Sequence, residues 1–190
     1  MGKFNFIKTP IEGLYIIEPK DFQDDRGYFM ETYNYRDFEK AGLDMIFVQD
    51  NQSMSKQGVL RGLHLQGNHP QGKLVRVTKG EVFDVAVDLR RNSETFGKWY
   101  GCILSQENKR QLYIPEGFAH GFLVLSYEAE FVYKCSDYFY PKEECGIIWN
   151  DSDINVLWPL QKIDKVILSE KDRNLNTFRE YISFGNADHD

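Results

Sequence analysis

Two alternating segments joined by one glycine turn constrain the fold of this chain more than any other feature. In residues 73–78, Lys73, Val75 and Val77 fall on one side of an extended backbone and Leu74, Arg76 and Thr78 on the other. After the Gly80-Glu81 turn, Phe83, Val85, Val87 and Leu89 share one face of the next segment, with Asp84 and Asp88 opposite. A period of two reads as paired strands, and a lysine at the end of an otherwise apolar face places Lys73 at the border of an interior.

The surrounding chain repeats the theme. Short strands are expected within residues 4–20, broken by Pro10, Gly13 and Pro19, and over 28–33 after the turn Asp24-Asp-Arg-Gly27. Further strands are expected over 99–104, 111–114, 122–125, 130–134, where Phe131 and Tyr133 share a face, and 146–149. The polar run 47–53 reads either as a turn or as a place where Gln49 and Asn51 contact a planar base or a sugar hydroxyl. Helices are few: residues 34–41, with Asn34 as N-cap and Gly42 as the C′ glycine, and the tail from Ser169, where Ser169-Glu-Lys-Asp172 resembles a capping box. Turns every eight to twelve residues imply a sandwich or barrel. The expectation is an all-β jelly-roll barrel with a few short peripheral helices, one domain spanning residues 1–190.

Composition narrows the partners. A net charge of -6 with both signs interspersed argues against nucleic-acid binding, yet leaves room for an anionic small ligand at a local Arg and Lys cluster. Aromatic residues make up 15% of the chain, which suits an aromatic-lined cavity. No stretch approaches 18 apolar residues, so no membrane span is expected, and the N-terminus lacks the apolar core of a signal peptide. Cys102, Cys135 and Cys145 form no CxxC pair; unpaired thiols and a cytoplasmic location are the expectation.

Chemistry concentrates in two runs. Gly58-Val-Leu-Arg-Gly-Leu-His-Leu-Gln66 carries Arg61 and His64, and Ile114-Pro-Glu-Gly-Phe-Ala-His-Gly-Phe122 carries His120. Strict alternation puts Arg61 and His64 on opposite strand faces, so a shared pocket needs a bulge, for which Gly62 is the natural place. His69 and His189 stand in polar surroundings and read as bland; Arg26 and Glu31 are either solvated charges or site groups. No HxH pair supports a metal site. No GxSxG elbow, cysteine beside histidine or phosphate loop is present. What remains is proton transfer, with histidine as base, tyrosine as acid and lysine beside an oxyanion.

Several longer motifs occur in one order: Gln49-Asp-Asn51, Gly58-Val-Leu-Arg-Gly-Leu-His64, Gln71-Gly-Lys-Leu-Val75, Phe83-Asp-Val-Ala-Val-Asp-Leu-Arg90, Tyr113-Ile-Pro-Glu-Gly-Phe-Ala-His-Gly-Phe122, Trp149-Asn-Asp151 and Leu168-Ser-Glu-Lys-Asp172. Together they resemble the dTDP-4-dehydrorhamnose 3,5-epimerase family, from about Ile7 to Asp172. The resemblance implies a cupin-type jelly roll working as a homodimer without metal or organic cofactor. It implies epimerisation of dTDP-4-dehydro-6-deoxy-D-glucose at C3 and C5, on the way to dTDP-L-rhamnose. By resemblance His64 is the base, Asp172 its partner, Tyr133 the proton donor and Lys73 the cation near the ketone oxygen. His120 belongs to the sugar pocket, and Arg26, Glu31, Gln49, Asp50, Asn51, Arg61, Glu144 and Lys171 to the nucleotide-sugar contacts. Where the family often has a tyrosine stacking on thymine, this chain has Phe139 beside Tyr138 and Tyr140, which keeps the stacking face and loses a hydroxyl. Epimerases of C3 or C5 alone share most of this pattern; a non-catalytic nucleotide-sugar binder would not need the acid–base set.

Overall fold

The computed structural model describes residues 2–184. In chain order the strands are β1 (Phe4–Lys8), β2 (Tyr15–Pro19), β3 (Asp21–Asp24), β4 (Gly27–Met30), β5 (Gln49–Lys56), β6 (Leu60–Gln66) and β7 (Lys73–Lys79). They continue with β8 (Glu81–Asp88), β9 (Trp99–Ser105), β10 (Gln111–Ile114), β11 (Phe118–Val124), β12 (Glu128–Cys135) and β13 (Glu144–Gly146). Helices α1 (Tyr35–Lys40), α2 (Glu170–Arg173) and α3 (Phe178–Phe184) are short. Asn34 caps α1, its side chain accepting from the Arg36 N–H, and Gly42 follows at φ +84°.

The strands form a six-stranded sheet in the order β1-β2-β10-β7-β12-β5 and a five-stranded sheet in the order β13-β6-β11-β8-β9, with β3-β4 as a separate hairpin. All pairings between these strands are antiparallel. Val75, Val77, Leu112 and Phe131 of the first sheet meet Val82, Ala86, Leu104 and Phe122 of the second in one core. The outer face of the second sheet, with Leu63, Val85 and Val87, is covered by Ile154, Trp158 and Phe178 of the C-terminal segment. The outer face of the first packs Ile17, Leu74 and Tyr113 on Phe38 of α1. The result is an all-β jelly roll, as expected, with its two sheets face to face rather than closed into a barrel.

Because both faces of the second sheet are covered, β8 is buried on both sides, and its two aspartates need partners. Asp84 meets His120. Asp88 accepts from Arg90, Ser93 and Thr95; burial pushes its carboxyl up, but these bonds outweigh it and lower its pKa to about 2.

Four expected boundaries shift. The run 47–53 contains no turn but the start of β5: Gln49, Asn51, Ser53 and Ser55 alternate inward while Asp50, Gln52, Met54 and Lys56 are exposed. Its inward face is polar because it lines a cavity, so the apolar alternation that marks most strands is missing. The strand placed at 122–125 begins at Phe118 and takes in His120, being buried along its whole length. The strand expected over 28–33 ends at Met30, and that over 146–149 is Glu144–Gly146. His189 lies outside the described residues.

Candidate active site

Between the sheets lies a cavity of about 740 Å³, open to solvent and lined from both sides. Gln49 and Asn51 reach it from β5, Lys73 from β7 and Tyr133 from β12; Arg61 and His64 come from β6, His120 from β11, and Glu144 from β13. Lys171 and Asp172 close it from α2, and Phe139 from the segment before β13.

Arg61 and His64 share the cavity because β6 bulges between them. His64 pairs with His120 across the sheet, but Arg61 pairs with Phe122, so Gly62 and Leu63 oppose the single residue Gly121. Gly62 has φ +106°, and a Cβ there would lie 2.5 Å from the His120 carbonyl oxygen, so the position requires glycine. The bulge expected at Gly62 is thus present.

His64 Nε2 lies 2.6 Å from Asp172 Oδ1. The carboxylate also accepts from the Gly62 N–H at 3.3 Å and the Ser169 hydroxyl at 2.6 Å. Burial raises the Asp172 pKa, but the bonds from His64, Ser169 and Gly62 win and hold it below its ordinary value. An ionised Asp172 keeps the proton of neutral His64 on Nε2 and the lone pair on Nδ1. Glu144 Oε1 stands 3.8 Å from that Nδ1, and its other oxygen is paired with Lys171.

On the neighbouring strand His120 Nε2 meets Asp84 at 3.1 and 3.0 Å, with Phe131 stacked at 5.9 Å between ring centres. Burial pushes the Lys73 ammonium pKa down, against the opposing pull of Cys135, Glu144 and Asp84. Burial raises the Tyr133 phenol, helped by Cys135 and Glu144 and opposed by Arg61, so it holds its proton at neutral pH. The cavity therefore offers a base with a free lone pair, a protonated acid and an amine near two carboxylates.

The sequence profile of the dTDP-4-dehydrorhamnose 3,5-epimerase family matches residues 8–180. This chain belongs to that family. It is 58% identical over 180 residues to the dTDP-4-dehydrorhamnose 3,5-epimerase of Methanothermobacter thermautotrophicus, covering 95% of this chain and 97% of the relative. To the Escherichia coli dTDP-4-dehydrorhamnose 3,5-epimerase it is 55% identical over 180 residues, 94% of this chain and 96% of the relative. Its fold matches the dTDP-6-deoxy-D-glucose-3,5-epimerase of Legionella pneumophila, solved with dTDP-4-keto-L-rhamnose, at a TM-score of 0.90 and 52% identity over 93% of each chain.

Of the residues that the family resemblance singled out, His64, Asp172, Tyr133, Lys73, Gln49, Asn51, Arg61, His120, Phe139, Glu144 and Lys171 all line the cavity. Four do not. Asp50 points outward to Lys134 at 2.9 Å, and the Tyr138 side chain is exposed. Arg26 sits at the exposed tip of the β3-β4 hairpin, paired with Asp24 at 2.6 Å. Glu31 is paired with Lys3 and accepts from Asn34 at 3.0 Å.

Residue-by-residue reading missed Asp84, Ser169 and Gln66. Asp84 was set apart from the apolar face of β8, yet Val82 and Ala86 on its own face already marked that side as interior. Ser169 was read only as a helix cap; its hydroxyl also holds the Asp172 carboxylate. The cysteines are unpaired, as expected. Among the described residues no group of three or more His, Cys, Asp or Glu side chains could hold a metal ion, and no helix is long and apolar enough to cross a membrane.

Proposed function

We propose that this chain epimerises dTDP-4-dehydro-6-deoxy-D-glucose at C3 and C5, giving dTDP-4-dehydro-L-rhamnose for dTDP-L-rhamnose synthesis. The observation that carries this reading is the His64–Asp172 pair at 2.6 Å, facing the same cavity as the protonated Tyr133 and as Lys73. The C4 ketone acidifies the hydrogens on C3 and C5. His64 Nδ1 takes the proton, and the C–H electron pair moves into an enolate whose oxygen lies beside Lys73. Tyr133 returns a proton to the carbon from the other face, which inverts it; solvent then reprotonates the phenol and deprotonates His64.

Arg61 and Lys171 are the cations for the diphosphate, and Gln49, Asn51 and Phe139 the contacts for the nucleoside. Arg26 and Glu31 act in the cavity of a neighbouring copy, in a homodimer of single-domain subunits that works in the cytoplasm without a metal or organic cofactor. Asp50 and Tyr138, whose side chains lie outside the cavity, keep a place among the substrate contacts only by the family resemblance.

The test is turnover in deuterated water with label counted at C3 and C5. Label at both positions, with both inverted, is expected. Label at one would make the chain a single-centre epimerase; label at neither, with dTDP binding intact, would make it a binder.

A further inference from the structure

Residues 138–140 bring Phe139 to the cavity, yet none of their side chains belongs to an apolar core. Tyr138, Phe139 and Tyr140 are 57%, 47% and 37% exposed, and the segment belongs to no strand. Its backbone is held instead by side-chain amides. Gln66, at the end of β6 and only 5% exposed, accepts from the Tyr140 N–H at 2.6 Å and donates to the Tyr138 carbonyl at 3.1 Å. The same Nε2 donates to the His69 carbonyl at 2.7 Å, tying the segment to the loop after β6. The Phe139 N–H between these two anchor points donates to Gln49 Oε1 at 2.9 Å. His69 stacks on Tyr140 with 4.0 Å between ring centres.

We propose that Gln66 is a positioning residue for nucleotide recognition: its amide clamps the backbone on both sides of Phe139 and so fixes the aromatic face offered to the base. A buried amide whose oxygen and nitrogen both meet backbone groups has one productive orientation, and it fixes what it bonds. The rest of the ligand is held elsewhere, the diphosphate by Arg61 and Lys171 and the sugar by the histidine side of the cavity. Gln66 itself lines the cavity, and its clamp bears on the base rather than on the diphosphate. This inference rests on the nucleotide-sugar reading of the cavity.

The test compares Gln66→Met, similar in length but unable to clamp, with wild type. Competitive inhibition by dTDP and by inorganic pyrophosphate is measured beside kcat and KM. Expected are a roughly tenfold or larger loss of dTDP affinity, a matching rise in KM, unchanged pyrophosphate inhibition and kcat within about threefold. Phe139→Ala should reproduce the loss, and the double variant should lose no more than either single one. Equal losses for dTDP and pyrophosphate, or none for dTDP, would overturn the proposal.

Should Gln66→Met fail to fold, hydrogen exchange in the wild-type chain decides. The Tyr140 amide, which donates to Gln66, is expected to be protected without ligand, and fast exchange there would overturn the clamp. A wild-type chain with a protected Tyr140 amide and no affinity for dTDP would instead overturn the nucleotide reading, and with it the role given to Gln66.

Discussion

The two histidine–aspartate pairs of the cavity face each other across one sheet, His64 being the register partner of His120, but they are built differently. Asp84 reaches His120 from the adjacent strand β8, in a pairing fixed by the sheet; both side chains are almost fully buried, and both carboxylate oxygens lie close to one ring nitrogen. Asp172 reaches His64 from a helix of four residues near the end of the described chain, held by Ser169 and the Gly62 amide. The His64 side chain is 24% exposed, against 9% for His120. The sheet-built pair is closed off from solvent. The pair that depends on a distant segment has the more accessible ring, with a free nitrogen turned towards Glu144. On this contrast rests our proposal that His64 abstracts the proton and that His120 keeps a fixed place on the sugar side of the cavity.

The largest expected effect breaks the comparison at the base. His64→Ala should lower turnover by about 10²–10⁴-fold and abolish deuterium exchange into the sugar, with dTDP affinity retained. His120→Ala should still exchange deuterium. Equal loss of exchange in the two variants would mean that the pairs share the work.

Next comes the acid. Inversion needs a proton from the second face, whereas exchange needs only the base. Tyr133→Phe should lose most epimerised product, by about 10²-fold or more, yet still wash label into C3 or C5 with retained configuration. Because burial raises the Tyr133 phenol above 10.0, the wild-type alkaline limb due to its ionisation should lie above that pH. A Phe variant that inverts both centres at the normal rate would move the acid role elsewhere.

A smaller effect, read in stability as well as rate, tests what Asp172 adds to His64. Asp172→Asn removes the negative charge and turns one acceptor oxygen into an NH2 donor, so the His64 tautomer is no longer dictated, and it should cost less turnover than His64→Ala. The folded Asp172 pKa is depressed below the ordinary 3.8, so its contribution to stability is present above that pH and is lost as pH falls through the folded value. The Asn variant should lack this part of the acid-side slope in chemical denaturation at stepped pH. An unchanged slope would mean that Asp172 is not held as a carboxylate.

The contrast between the pairs also explains what sequence could deliver. The alternation in β7 and β8 marked paired strands and placed Lys73 at the border of the interior, because those strands belong to sheets with apolar cores, and the spacing of the turns implied the jelly roll. It failed at β5, whose inward residues are Gln49, Asn51, Ser53 and Ser55: a strand facing a polar cavity carries no apolar face. Gly62 was legible because Arg61 and His64 conflict in parity. The bond from Asp172 to His64 joins residues 108 positions apart, and neither periodicity nor spacing encodes it; only the family motifs did. Arg26 and Glu31 lie outside the cavity of their own chain, Arg26 paired with Asp24 and Glu31 bonded to Asn34, and no alternation in their segment marks a site.

The smallest effect concerns Ser169, for which the sheet-built pair has no counterpart in its construction. Its hydroxyl accepts from the Asp172 N–H at 3.0 Å, capping α2, and donates to Asp172 Oδ2 at 2.6 Å. Ser169→Ala removes both bonds while Asp172 keeps those from His64 and Gly62. The lost cap should cost about 0.5–2 kcal/mol in chemical denaturation at neutral pH. Losing one donor lets the Asp172 pKa rise towards its ordinary value, so the acid-side loss of stability that Asp172 contributes should be smaller and should be complete at a higher pH. The carboxylate stays ionised at neutral pH and still meets Nε2, so turnover should fall only a few-fold. Ser169→Thr, which keeps the hydroxyl, should restore both stability and rate. A Thr variant as impaired as the Ala variant would show that the hydroxyl is irrelevant. An Ala variant with full stability and rate would show that Asp172 needs no support beyond its contacts with His64 and Gly62.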